Sequence, residues 1–222
     1  MYREPFFKID DRDLGSLRLS WENLARGYGA DQTEIEKWFN HLTDLYSARG
    51  RAYHNLSHIR SLLSLSDPLS KKIQNYDAVR FAIWFHDAVY NTRRKDNEDL
   101  SAELAFECLT SLKVPSRTVE LVRDMILATK DHRRHDPDDD LNIFLDLDLS
   151  ILGSGDKIYQ SYSKAIRKEY WWVPSPVYRR GRRQVLENFL TRDSIYFTDE
   201  MAQKYERQAR LNIKREIEAL SE

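Results

Sequence analysis

The chain has 222 residues but only seven glycines and six prolines, too few turn-formers for a β sandwich or barrel, and the expectation is an all-α fold. Lys and Arg number 35 against 36 Asp and Glu, a formal charge of −1, which excludes whole-surface attraction to a nucleic acid polymer or an anionic membrane. Hydrophobic residues at 41% exclude a disordered chain, and no apolar run approaches the roughly 20 residues of a membrane span. Residues 1–13 are charged where a signal peptide needs an apolar core, so the expected location is cytoplasmic. A single Cys108 excludes an internal disulfide and a cysteine-based metal site.

The first predicted helix spans 33–48, where Thr33 and Glu36 form a capping box and Ile35, Trp38, Phe39, Leu42 and Tyr46 recur at helical spacing. A second follows at 56–65, with Asn55 as N-cap and Asp67-Pro68 as its stop. The third, 75–89, is apolar on nearly every face through Ala78, Val79 and residues 81–85, which predicts a helix at the centre of a bundle. Helices at 96–112 and 116–130, the latter with Ser116 as N-cap, precede DHRRHDPDDD at 131–140, a solvated loop by composition. Helices at 142–152, 157–170, 179–191 and 199–220 complete the chain. With no repeat and no linker, the expectation is one helical domain over 1–222.

Seven scattered glycines leave no phosphate-cradling loop, dinucleotide fingerprint or nucleophile elbow. Instead His and Asp recur on apolar helices: His58, the adjacent His86 and Asp87, and Asp146 and Asp148 in IFLDLDLSIL. A buried carboxylate needs a cation, strong donors or a route to water, because unpaired burial costs at least several kcal/mol. A lone His such as His41 is ordinarily a hydrogen-bonded structural residue, and Asp148 has the alternative of pairing with Arg167. Adjacent helical positions point about 100° apart, so His86 and Asp87 reach one ion only from a helix end or a tight site. The Asn55 cap would leave His54 outside the helix that carries His58.

Four segments, Tyr53-His54-Asn55-Leu56-Ser57-His58, Trp84-Phe85-His86-Asp87, Thr129-Lys130-Asp131-His132 and the stretch from Asp146 to Gly153, together resemble the ordered signature of the HD superfamily of metal-dependent phosphohydrolases. The resemblance extends over most of the chain. It implies that His58, His86, Asp87 and Asp148 bind a divalent metal, with Asp146 orienting a ligand from behind. The first segment is also similar to the motif of cyclic nucleotide phosphodiesterases, which implies His54 as general acid.

Two His and two Asp suit Mn, Fe, Co, Ni or Zn and leave positions open for water and a phosphate oxygen. The expected reaction is attack of metal-activated hydroxide on a phosphate ester of a small metabolite, a nucleotide first among them, while His54 protonates the leaving oxygen. His132 and His135 lie too close together for the usual binuclear pattern, so one tightly held ion is expected, with Mg as a second ion bridged by Asp87 the alternative. Lys130 and His132 are candidates for phosphate binding, as is Arg182 in the Arg179–Arg183 cluster, for which solvated pairing to Glu187 is the structural alternative. Glu98 is a candidate to position the attacking water, or else a first-turn charge favourable to its helix. An iron-dependent oxygenase on the same scaffold and a non-catalytic nucleotide sensor are the competing readings.

Overall fold

A computed structural model of the protein describes residues 7–135 and 139–221. It is all-α: ten helices and two short 3-10 turns, with no strand among the described residues. The helices are α1 (Asp11–Arg26), α2 (Gln32–Tyr46), α3 (Leu56–Ser66), α4 (Tyr76–Phe85), α5 (Asn97–Ser111), α6 (Ser116–Ala128), α7 (Asp139–Leu149), α8 (Asp156–Glu169), α9 (Ser175–Leu190) and α10 (Asp199–Ser221). No described helix is long and apolar enough to cross a membrane.

Helix α1 was not among the predicted elements. Asp10 caps it by accepting the Asp13 N–H, and Leu17, Trp21, Leu24 and Ala25 form its buried stripe. Trp21 donates its indole N–H to the Ile35 carbonyl at 2.9 Å and meets Phe81, Trp84 and Phe85 at centroid distances of 5.5–6.1 Å. Each such aromatic pair contributes about 0.5–1.5 kcal/mol beyond area burial, enough to fix α1 against the centre of the fold.

That centre is α4. Ala78, Val79 and Phe81 through Phe85 are all fully buried, and α3, α5, α6 and α7 pack around them. The helix ends at Phe85, earlier than the predicted 89, and His86 is its C-cap residue. The shorter helix answers the geometric difficulty of neighbouring ligands, because His86 and Asp87 leave the helix together at its C-terminal end.

Other boundaries differ in instructive ways. The N-cap of α2 is Asp31, whose carboxylate accepts the Thr33 N–H; Thr33 is already helical, so the expected capping box is replaced by a single aspartate cap. Pro115 precedes α6, and Ser116 is its first residue rather than its cap. Helix α9 begins a turn before 179, with a proline in its first turn that needs no donor there.

Of the 131–140 stretch, the described Asp131, Arg133, Arg134, His135 and Asp139 are exposed as the composition predicts, while His132 is half-buried and the last two residues are already helical. Asp140 is buried and accepts the N–H groups of Gln74 and Asn75 at 2.8 and 2.7 Å, tying the start of α4 to that of α7; residues 136–138 lie outside the described residues. After α7 the chain tightens into a 3-10 turn, Ser150–Gly153, packed on α10. A Cβ at Gly153 would lie 2.6 Å from the Tyr205 Cβ and 2.8 Å from its carbonyl oxygen, so only glycine permits this approach. Cys108 is buried and unbonded, and burial pushes its thiol well above the usual range.

Candidate metal centre

Three helices aim ligating atoms at one point. Asn55 caps α3 through the Ser57 N–H, leaving His54 outside the helix and placing His58 in its first turn. The C-terminal end of α4 supplies His86 and Asp87, and the last turn of α7 supplies Asp148. The Nε2 atoms of His58 and His86 are 3.2 Å apart, and Asp148 Oδ1 is 3.2 Å from the first and 3.5 Å from the second. The donor atoms of His58, His86 and Asp148 lie within 4.8 Å of one another. Asp87 flanks this group, its Oδ2 3.0 Å from His86 Nε2 and 3.7 Å from His58 Nε2.

These spacings fit an ion. Metal–nitrogen and metal–oxygen bonds of roughly 2.0–2.2 Å put neighbouring donors about 2.9 Å apart on an octahedron and about 3.4 Å apart on a tetrahedron, the range seen here. The donor chemistry agrees. His86 Nδ1 lies 3.0 Å from the Ile83 carbonyl, an acceptor only, so Nδ1 carries the proton and Nε2 can offer its lone pair to the group. The buried His58 and His86 and the part-buried Asp148 could therefore hold a metal ion.

Charge is concentrated accordingly. Burial works against a cation at His86, but Asp87 and Asp148 outweigh it and hold that imidazole well above its usual range. At His58 burial prevails and the shift is downward. Asp148 is held well below the carboxylate range, because His86, His132 and His58 together overcome its burial. Asp87 is lowered in the same way, chiefly by His86.

Exposure gives the site a direction. The side chains of His58 and His86 are 2% and 1% exposed and form the floor. His54, Asp87, Asp148 and His132, at 17–20%, form a rim open to water. His132 Nε2 lies 2.8 Å from Asp148 Oδ2, the oxygen turned away from the two imidazoles. Its backbone is in the left-handed region at φ 47°, held there by Arg192, which donates to the His132 and Asp131 carbonyls at 2.6 and 3.0 Å. Such a conformation costs of order 1 kcal/mol and persists because the guanidinium fixes it. The His135 side chain is exposed and belongs to no part of this group.

The geometry separates the two aspartates of α7. Asp146 turns to the other end of the molecule, accepting the N–H groups of Phe197 and Thr198 at 2.7 and 2.8 Å and the Thr198 hydroxyl at 2.7 Å. It anchors the entry to α10 rather than orienting a metal ligand, and burial pushes it up to about 6 despite those donors. Asp148 does not pair with Arg167, which donates to the Tyr170 and Val173 carbonyls.

Beside the donor group stands a residue absent from the sequence expectations. Glu169, 4% exposed, accepts the N–H groups of Ala52, Tyr53 and His54 on Oε1. Its Oε2 takes His54 Nδ1 at 2.6 Å and the Tyr90 hydroxyl at 3.0 Å. Burial lowers His54, yet Glu169, Asp87 and Asp148 together outweigh it and the imidazole is raised; Glu169 is correspondingly lowered by His54 and the backbone N–H donors against its own burial. Tyr90 lies against the imidazole at 4.2 Å. Arg51 joins the two motif segments, donating to the carbonyls of His54, Asp87 and Ala88 at 2.7–3.0 Å. The signal for Glu169 was its place on the buried stripe of α8, in phase with Tyr159, Tyr162 and Ile166.

Three expected site residues stand apart from the donor group. Lys130 is exposed and pairs with Asp99 at 3.2 Å. Arg182 is part-buried, its side chain 10% exposed, and pairs with Glu216 at 2.9 and 3.2 Å, its guanidinium over the Tyr162 ring. The Tyr162 and Tyr53 rings stand between it and His58, so it is a structural cation rather than a phosphate clamp. Its neighbour Arg183 pairs with Glu187, the alternative weighed for this cluster. Glu98 is half-buried in the first turn of α5 and makes no hydrogen bond or ion pair with the donor group.

No protein-family model, no curated protein and no solved structure matches the chain.

Proposed function

We propose that this protein is a metal-dependent phosphohydrolase of the HD type, acting on a phosphate ester of a small metabolite, with nucleotides the first class to test. One observation carries the reading: the His58, His86 and Asp148 donor group lies beside an imidazole, His54, that a buried carboxylate holds in one orientation. The resemblance of the four ordered segments to HD proteins supports it.

In this reading His58, His86 and Asp148 would hold the ion, with the Asp87 carboxylate beside them at the rim. A bound Mn, Fe, Co, Ni or Zn ion would supply a nucleophile from water near neutral pH and polarise the phosphoryl group. The chain's own residues do the rest. His132 holds the outer oxygen of Asp148, which would leave its inner oxygen free for an ion. His54 donates Nδ1–H to Glu169, which leaves Nε2 to carry a second proton to the leaving oxygen. Glu169 stabilises the imidazolium needed for that task, and Tyr90 packs on its face.

The test is metal analysis of protein purified without chelator, followed by phosphate release from nucleotides and simple phosphate esters with each metal added back. Phosphate release that requires the ion and falls in His54→Ala with metal retained supports the reading. Dioxygen consumption by an iron-loaded protein that releases no phosphate overturns it, as does the absence of both metal binding and turnover.

A further inference from the structure

Arg51 lies half-buried in the link between α2 and α3 and makes no ion pair among the described residues. Arg182 and Arg210, by contrast, pair with Glu216 and Glu206. The Arg51 guanidinium turns to backbone carbonyls instead. Its Nη1 donates to His54 at 3.0 Å and to Asp87 at 2.7 Å, and its Nη2 donates to Ala88 at 2.7 Å. It lies over the rings of Tyr46 and Tyr90, 5.0 and 5.5 Å from their centroids. The Tyr46 hydroxyl donates to the Trp84 carbonyl, and the Tyr90 hydroxyl to Glu169, both at 3.0 Å.

These contacts fall into two sets. Trp84, Asp87 and Ala88 belong to the C-terminal end of α4, which carries His86 and Asp87. His54, Tyr90 and Glu169 form the group that orients the proposed acid. Glu169 fixes the imidazole through Nδ1, but relative to α8, which packs chiefly on the 150–153 turn and α10 and carries no metal-ligand candidate. The chain from His54 to His58 passes through Asn55, whose extended backbone precedes the first turn of α3. Arg51 adds a direct tie, because one nitrogen bridges the carbonyl of the proposed acid and the carbonyl of the rim aspartate. A charged donor makes such bonds about twice as strong as neutral ones. The planar fork also fixes several directions at once, which a lysine ammonium does not.

We propose that Arg51 is a positioning residue that sets where the His54 imidazole stands relative to the metal centre, and so aligns its proton with the leaving oxygen. This deepens, and rests on, the phosphohydrolase reading. Arg51 touches neither substrate nor ion and acts through the backbones of His54 and Asp87. A displacement of about 1 Å in a reacting group can cost about 10²-fold in rate. A general acid matters most where the leaving oxygen is basic, so the role carries a signature that a purely structural arginine lacks: dependence on the leaving group.

The test compares AMP, whose leaving group is an alkoxide, with 4-nitrophenyl phosphate, whose phenolate departs without a proton. Values of kcat and KM for both are measured on metal-loaded wild type, Arg51→Lys and Arg51→Gln, with metal content and melting temperature read on the same samples. In Arg51→Lys the ratio of kcat for 4-nitrophenyl phosphate to kcat for AMP should rise about 10- to 100-fold, with KM for AMP within about twofold and metal content unchanged. Arg182→Ala, which removes another part-buried guanidinium, should lower the melting temperature and leave that ratio unchanged. An equal fall for both esters, no fall for either, or loss of the ion in Arg51→Lys overturns the proposal. Failure of both Arg51 variants to fold also overturns it, since the arginine would then serve folding alone. A wild type that releases phosphate from neither ester overturns the phosphohydrolase reading, and this proposal with it.

Discussion

Replacing Glu169 by Gln changes one charge and almost no volume, and the structure says what each contact does. The Gln carbonyl can still accept the three backbone N–H groups of Ala52, Tyr53 and His54, so the 52–54 segment should stay in place. Its amide nitrogen then faces His54 Nδ1 and the Tyr90 hydroxyl, where a carboxylate oxygen had accepted from both. An amide N–H meets Nδ1 productively only if that atom has lost its proton, which makes His54 neutral. The charge-assisted bond is worth about 1.5–3 kcal/mol, or a melting temperature lowered by about 3–12 °C for a chain of this size. His54 has a raised pKa, so its share of the pair's stability is fully present below its ordinary 6.5 and is lost as pH rises through the folded value. Glu169 has a lowered pKa, so its share is present above its ordinary 4.5 and is lost as pH falls through the folded value. The stability gap between wild type and Glu169→Gln should therefore be widest between about pH 4.5 and 6.5 and should narrow toward alkaline pH. Turnover, if His54 is the proton donor, should fall about 10²- to 10⁴-fold with metal content unchanged. Thermal unfolding across pH, metal analysis and kcat/KM on the same preparations check all three. A variant with lowered stability but wild-type turnover would refute the proton-donor role, and one that loses its metal would show that Glu169 shapes the donor group instead.

The two α7 aspartates should separate cleanly: Asp148→Ala should lose metal at least tenfold, whereas Asp146→Ala should keep it and lose about 1–3 kcal/mol in urea unfolding, because three donors at the start of α10 go unpaired. Arg182→Ala should cost about 3–5 kcal/mol by stranding the buried Glu216, with KM for any phosphorylated substrate unchanged in the folded fraction. A raised KM would restore Arg182 as a phosphate ligand. Gly153→Ala should cost about 1–3 kcal/mol, measured by urea titration, because its methyl would meet Tyr205 backbone and Cβ.

Much of this architecture can be read from local chemistry. The apolar perimeter of α4 marks it as central, Asn55 as a cap puts His54 and His58 in different backbone environments, and the adjacent His86 and Asp87 require a helix end or a tight site, of which the structure shows the helix end. The choice between Asp146 and Asp148 is of another kind. Helix α7 is buried on nearly every side, so its hydrophobic pattern has no phase, and only the packing of α3 and α4 on one side and of the Phe197–Thr198 segment on another decides which aspartate meets the imidazoles. Partners distant in sequence are illegible for the same reason: Arg182 finds Glu216 and Lys130 finds Asp99 through tertiary packing. His132 sits in a polar stretch that reads as solvent-exposed until Arg192, from beyond α9, fixes its strained backbone. Helix α1 carried a readable stripe in Leu17, Trp21 and Leu24, masked by the charged residues around it.

The central claim is that His58, His86 and Asp148 hold a divalent ion on which phosphate release depends. Titration of chelator-stripped protein with Co, with phosphate release followed in the same samples, tests it most directly. Saturable binding of one ion per chain, activity rising with occupancy, and loss of both in Asp148→Ala are the predicted results. Binding that is absent, or that is unchanged by Asp148→Ala, would contradict it.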